Sequence, residues 1–255
     1  MIDLERESFC NRFGWPVDRR QLPYCIGHRG ASGHRTENTL AAFTLATELG
    51  ADMWELDTQL TQDGVVMVSH DDHLQRVFGI DRKISQMTFD ELTALGTDVP
   101  SFAQVAALAR KRGTGLYIEL KAPGTGPLCL QHLLDEGQSF AAFGSFDVAQ
   151  VRALRDAGCR FPLSVLVRPG HDSHELGDRA QADILHLCWE RAGERPQDLV
   201  TLALLQRAFD DGRQVVLWHE ERPDVLRDII ALPVLGICTD LPELMRPAAS
   251  RVWKS

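Results

Sequence analysis

The sequence predicts an α/β fold: a TIM-type (β/α)₈ barrel of eight parallel strands, with one β-hairpin extension after the second strand. Three observations carry this prediction. The chain has 255 residues, the usual size of such a barrel in one domain. Apolar β-type runs alternate with helix-patterned segments, which implies a parallel sheet with helices outside it. Four of the runs end in ionisable side chains, at His28-Arg29-Gly30, Glu55-Leu56-Asp57, His70-Asp71 and Glu119-Leu120-Lys121. Charged groups at the C-terminal ends of several strands are how this kind of barrel assembles a reactive site.

In chain order the strand runs are Tyr24–Gly27, Met53–Asp57, Val65–Ser69, Gly115–Leu120, Phe140–Phe143, Leu163–Val167, Ile184–Leu187, Val215–Trp218 and Val234–Thr239. Helical patterns occupy Thr39–Leu49, Phe102–Arg112, Leu128–Glu136, Val148–Ala157, Leu199–Asp211 and Pro223–Ile230. The third run is the odd one. Only Thr58 to Gly64 separates it from the second, whereas a parallel crossover needs about a dozen residues. The two runs must therefore form a hairpin, with Asp63-Gly64 in its turn. A turn over Thr61–Gly64 sets Leu60 opposite Val65 and Glu55 opposite His70, returning His70 to the level of Glu55. Eight parallel strands then remain.

No repeat, low-complexity tract or long linker interrupts this pattern. The sequence therefore reads as one domain over 1–255. Residues 1–22 form an extension that either packs across the barrel bottom or frays, and 71–100 form an irregular segment near the mouth. A hydrophobic content of 44% suffices for a large core. The net charge of −9 gives no basic footprint for nucleic acid. It also repels anions at long range, so an anionic substrate needs local Arg, Lys or a metal. The six cysteines form no Cys-x-x-Cys pair, and several sit inside apolar runs, as buried reduced thiols do. The first residues are acidic and lack an apolar signal core, and no apolar stretch reaches roughly 18 residues. A cytoplasmic enzyme without stable membrane association is the expectation.

Positions two apart on a strand point to the same side, so Glu55 and Asp57 both face the barrel interior near its mouth. Two such carboxylates repel one another, and a cation between them relieves the repulsion. Glu119 repeats the pattern. Three carboxylates suit one hard divalent ion, Ca2+ or Mg2+. The alternatives are ion pairing to Arg29 and Lys121, or solvated strand ends. His28 and His70 each follow a strand, and imidazoles titrating near neutrality serve as acid and base; ligation of zinc is the other role open to them. Arg29 offers a fork matched to phosphate oxygens, and Lys121 shares the inward parity of Glu119. Asn38 or Thr36 is placed to cap the following helix, with Glu37 and Asn38 ordering the mouth. Trp218 ends a strand, as core or as a wall against a small polar organic group. His34, His73, His186 and His219 read as surface or structural, and Asp147 as a helix start.

Together these residues resemble the glycerophosphodiester phosphodiesterase family. The matching passages are Ile26 to Ser32, Glu37-Asn38-Thr39 to Phe43, Gly50 to Asp57, Asp63-Gly64 through His70-Asp71, and Tyr117 to Lys121. Weaker matches follow at Ser145-Phe146-Asp147, Trp218 and Gly236 to Asp240. The resemblance implies a TIM barrel that hydrolyses a small-molecule glycerophosphodiester to sn-glycerol 3-phosphate and an alcohol. It implies His28 and His70 as acid–base pair, and Glu55, Asp57 and Glu119 as ligands of one divalent cation, usually Ca2+ or Mg2+. Arg29 and Lys121 are then phosphate contacts and Trp218 lines the glycerol pocket, with Glu37 and Asn38 beside them. Lysophospholipase D or sphingomyelinase D-like chemistry is the alternative, with a larger apolar groove expected at the mouth. A non-catalytic phosphodiester-binding barrel is the third. The chain departs from the family pattern at Thr36, where Pro is usual, at Gly96 to Pro100, and at His219-Glu220, where Thr-Val is common. The last two bear on the alcohol side of the substrate.

Overall fold

The computed structural model describes residues 2–17 and 22–245. The rest of the expected N-terminal extension and the chain beyond 245 lie outside the described residues. Eight parallel strands form a closed ring: β1 (Tyr24–Gly27), β2 (Met53–Leu60), β4 (Gly115–Leu120), β5 (Ala141–Ser145), β6 (Leu163–Val167), β7 (Ile184–Leu187), β8 (Gln214–His219) and β9 (Gly236–Thr239). The ring closes because β1 pairs with both β2 and β9. Strand β3 (Val66–Val68) lies outside the ring, antiparallel to the far end of β2.

Period-two alternation divides the strand side chains into two cores. Tyr24, Ile26, Met53, Tyr117, Ile184 and Val216 point inward and fill the lower barrel. Their neighbours Cys25, Trp54, Leu56, Leu116, Ile118, Leu185 and Leu217 point outward to the helices. Helix α1 (Ile2–Phe13) closes the lower end: Phe9, Cys10 and Trp15 join the inner cluster, and Trp15 packs edge-on against Tyr24 and Phe140. That leaves the inner positions at the upper ends of the strands free for polar side chains.

The outer layer holds α2 (Leu40–Leu49), α5 (Phe102–Arg112), α6 (Thr125–Asp135), α7 (Val148–Asp156), α8 (Ser173–Ala180), α9 (Leu202–Asp210) and α10 (Pro223–Ile230). Helix α8 escapes the sequence pattern because it carries few apolar residues. It packs closely on β7 through Gly177, where a Cβ would meet Leu185 at 2.7 Å. The irregular segment holds two short helices, α3 (Gln75–Phe78) and α4 (Phe89–Ala94), around a small core of Met67, Leu74, Ile84, Met87 and Leu92. Five of the six cysteines are buried. Among the described residues no helix is long and apolar enough to cross a membrane.

Two local expectations are corrected. The hairpin pairs Leu60 with Val66, not Val65, and Thr58 with Val68. The turn is one residue longer because Thr61 braces it: its Oγ1 accepts from Val65 N at 2.8 Å and donates to Asp63 Oδ1 at 2.6 Å. Continued upward, this register would set His70 beside the outward Leu56, not beside Glu55. The strand instead ends at Val68, and the chain bends so that the Gln59 amide donates to His70 O at 2.9 Å. The second correction is at α2, which is capped by Thr39, not Asn38 or Thr36, through a bond from Ala42 N at 3.2 Å.

The β1–α2 loop presses against its own helix at Gly30. Its φ is +86°, and a Cβ there would lie 2.6 Å from the Ala42 carbonyl carbon. Gly30→Ala is expected to destabilise the fold by about 1–3 kcal/mol. That is a drop in melting temperature of roughly 2–4 °C per kcal/mol, read by calorimetry.

Candidate active site

Asp57 and Glu119 are register partners on adjacent strands, and Glu55 lies one inward position below on β2. All three are buried, and one carboxylate oxygen from each lies within 4.8 Å of the others. Burial, then the charges of Asp57 and Glu119, push the Glu55 carboxyl well above its usual range. Burial and the Asp57 charge push Glu119 up to about 7. Burial acts to raise Asp57 as well, but Arg29, Lys121, His70 and the Asn38 hydrogen bond hold it below the usual range. Among the described residues, Asp57 Oδ1 is buried with no hydrogen-bond partner. Lys121 Nζ lies 3.7 Å from it and closer to Glu119, at 3.0 Å.

The β1–α2 loop supplies the second side of the site. Arg29 and Asn38 hold left-handed backbone at φ 55° and 57°, uncommon away from glycine. The bonds around them over-determine that strain. Arg29 N donates to Glu55 Oε2 at 3.0 Å, and Asn38 N donates to Arg29 O at 3.0 Å. The Arg29 guanidinium lies 3.2 Å from Asp57 Oδ2 and donates to Glu37 Oε1 at 3.0 Å. Asn38 Nδ2 donates to Asp57 Oδ2 at 2.9 Å. Glu37 also receives two bonds from Arg76, at 2.6 and 2.8 Å. Glu37 and Asn38 thus hold the protein's own groups and are not part of the cavity wall.

Two imidazoles flank the cavity, each held by an aspartate. His28 Nδ1 lies 2.7 Å from Asp240 Oδ1, and His70 Nδ1 lies 2.7 Å from Asp71 Oδ1. A carboxylate only accepts, so Nδ1 carries the proton in both rings. Lys121 Nζ lies 3.1 Å from His70 Nε2 and donates to it, consistent with that tautomer. Burial, assisted by the Arg29 and His219 charges, lowers His28 below the usual imidazole range despite Asp240. Burial acts to raise Asp240, yet its bonds from His28 and Ser32 hold it down at about 2. Because Asp240 fixes the tautomer and the ring plane, Asp240→Asn is expected to lower kcat at least about tenfold, with KM little changed. Steady-state kinetics checks this.

The cavity has a volume of about 350 Å³ and stands on Tyr117, whose hydroxyl donates to Ser164 Oγ at 2.6 Å. Its wall includes His28, Arg29, Glu55, His70, Glu119 and Lys121, which the structure brings together from four chain segments. Trp218 is part of that wall, fully buried, with its indole N–H donating to Glu220 Oε2 at 3.1 Å.

Four residues of the site were missed in the sequence or read there as structural. His219 stacks on His28, with ring centroids 4.5 Å apart and planes 4° apart. Period-two counting points it outward, but a β-bulge between Leu217 and His219 pairs it with the inward Cys238. Nothing in the pattern announced that bulge. His186 is buried against Tyr117 in the wall, and burial lowers it to about 3. Its shared parity with the inward Ile184 was a usable signal. Asp240 directly follows β9, the same charged strand end seen at His28, but its partner lies 212 residues away in sequence. Asp71 is adjacent to His70, and its role as the ring's acceptor was not read. His34 and His73 stand at the surface, paired with Glu243 and Asp81.

Comparison with known proteins gives a consistent result. A glycerophosphodiester phosphodiesterase of Caldanaerobacter subterraneus subsp. tengcongensis is 26% identical over 238 residues, covering 86% of this chain and 95% of that protein. The crystal structure of a glycerophosphodiester phosphodiesterase from Thermotoga maritima matches with a TM-score of 0.75 at 27% identity, over 88% of this chain and 97% of that one. Human lysophospholipase D GDPD1 is 46% identical over 74 residues, 29% of this chain and 24% of that protein. The model of the glycerophosphoryl diester phosphodiesterase family matches residues 28–244, which hold every barrel strand after β1 and every side chain of the cavity. The chain therefore belongs to the glycerophosphoryl diester phosphodiesterase family, and is an enzyme of that class, a phosphoric diester hydrolase.

Proposed function

We propose that this chain hydrolyses glycerophosphodiesters to sn-glycerol 3-phosphate and an alcohol. Glu55, Asp57 and Glu119 hold one divalent cation, and His28 and His70 are the acid–base pair. The observation that carries this reading is that two aspartate-held imidazoles line the same cavity as three crowded, buried carboxylates. The fit to a cation rests on the donor set. Three carboxylates within 4.8 Å, one with an orphaned buried oxygen, suit a hard ion that takes oxygen ligands, Ca2+ or Mg2+. When bound, such an ion supplies Lewis-acid polarisation of a phosphate oxygen.

The remaining work falls to the side chains. One imidazole takes the proton of the nucleophile and the other returns a proton to the leaving alkoxide; the nucleophile is water, or the neighbouring glycerol hydroxyl, which gives a cyclic phosphate that water then opens to glycerol 3-phosphate. The aspartate behind each ring stabilises its charged form as the proton passes. Arg29 and Lys121 line the cavity and offset charge on the phosphoryl oxygens. Trp218, fully buried, backs the wall on the glycerol side of the cavity. Glu37 and Asn38 act through Arg29 and Asp57, as positioning residues.

Lysophospholipase D activity is the second reading, favoured by the 74-residue match to a protein of that name. The cavity weighs against it, since ionisable side chains line most of its wall. An assay with glycerophosphocholine, lysophosphatidylcholine and bis(p-nitrophenyl) phosphate separates the readings. Release of glycerol 3-phosphate from glycerophosphocholine is expected, lost on chelation and restored by Ca2+ or Mg2+. Preference for lysophosphatidylcholine would favour the second reading, and no turnover of any substrate would sink both.

A further inference from the structure

A second cavity, of about 760 Å³, abuts the first at the barrel mouth. It is formed by the segments after β5 and β6, with Arg152, Arg168, Arg179 and His171 in its wall. Phe146 and Leu166 belong to both cavities and form their common wall. Arg168 directly follows β6, and its guanidinium carbon lies 4.1 Å from the centroid of the Phe146 ring. We infer that this groove is a subsite for a second phosphate, carried by the alcohol side of the substrate. The substrate class is then a glycerophosphodiester whose leaving alcohol bears a phosphate monoester. This rests on the activity proposed above.

Three features of the groove support the inference. In a chain of net charge −9, anions are repelled from most of the surface, so three arginines in one concavity form a local exception. Planar guanidinium forks match phosphate oxygens. The arginines are also available. Among the described residues Arg168 forms no ion pair. Arg152 pairs with Asp156 and Arg179 with Glu175, each along its own helix and exposed, and such pairs hold their partners weakly. The one carboxylate in the groove wall, Asp147, is engaged in capping α7 through Ala149 N at 2.9 Å. The shared wall does the rest: a diester phosphate beside His28 and His70 directs its alcohol past Phe146, toward Arg168. A cationic head group finds its counter-charge elsewhere, at Glu190 in the catalytic cavity, where Oε2 is buried and unpartnered.

The test compares kcat/KM for glycerophosphoinositol 4-phosphate and glycerophosphoinositol, which differ by one phosphate monoester, with glycerophosphocholine alongside. The wild-type enzyme is expected to favour the phosphorylated substrate about tenfold or more at low salt, and less as ionic strength rises. In Arg168→Gln/Arg179→Gln that ratio is expected to fall toward one. Equal kcat/KM for the two inositol substrates, preference for glycerophosphocholine, or an unchanged ratio in the double variant would each overturn the subsite while leaving the proposed activity standing. No turnover of any of the three would overturn both.

Discussion

His28→Ala is expected to lower turnover of a glycerophosphodiester by about 10²–10⁴-fold while divalent-ion binding persists. The ring lines the cavity with His70 but lies outside the three-carboxylate cluster. Its removal therefore takes away a proton carrier and leaves the ligand set whole. A quenched assay for glycerol 3-phosphate measures the first quantity, and calorimetric titration with Ca2+ or Mg2+ the second. His70→Ala should behave in the same way, because its ring is held by Asp71 as His28 is by Asp240. Turnover close to wild type in either variant would remove that histidine from the mechanism. Loss of ion binding together with turnover would instead make the ring a ligand, as in a zinc-type site.

The second large effect is expected at Glu55→Gln. The amide keeps the side-chain volume and an acceptor for Arg29 N, so the strained loop keeps its anchor. What it loses is one of three like charges crowded within 4.8 Å. Ion binding should weaken by at least about 100-fold, since groups that merely support a ligand already contribute 10–100-fold. Turnover should fall with it. Without ion, the variant should melt above ion-free wild type, because buried like charges destabilise the fold. Added Ca2+ or Mg2+ should then raise the melting temperature of wild type and not of the variant, since only a bound ion stabilises the native state. A wild-type melting temperature indifferent to both ions would end the case for the cation site.

The legible part of the fold was whatever a short window of sequence contains. Each parallel strand announces itself as a short apolar run, and the seven residues from Thr58 to Gly64, between the second and third runs, exclude any connection but a hairpin. The carboxylate cluster was legible for a similar reason. Inward parity is a property of Glu55, Asp57 and Glu119 on their own strands, and the ring brings Asp57 and Glu119 side by side. Element ends were less legible. Helix α6 starts at Thr125, not Leu128, and β5 at Ala141, because Phe140 turns its side chain to Trp15.

By itself, then, the sequence determined the alternation of strand and helix, the inward direction of the acidic side chains and the placing of ionisable groups at strand ends. All of these follow from the two-residue period of an extended chain and from the cost of burying charge. Only the tertiary structure decided which distant groups meet. Closure of the ring through β1 and β9 sets Asp240 behind His28. A single extra residue in β8 turns His219 from the helices to the cavity. A turn braced by Thr61 shifts the hairpin by one position and leaves a bend to bring His70 into the site. Each is a displacement by one residue or a meeting across the whole chain, and the energy that selects it comes from packing around the closed barrel, which no local pattern records.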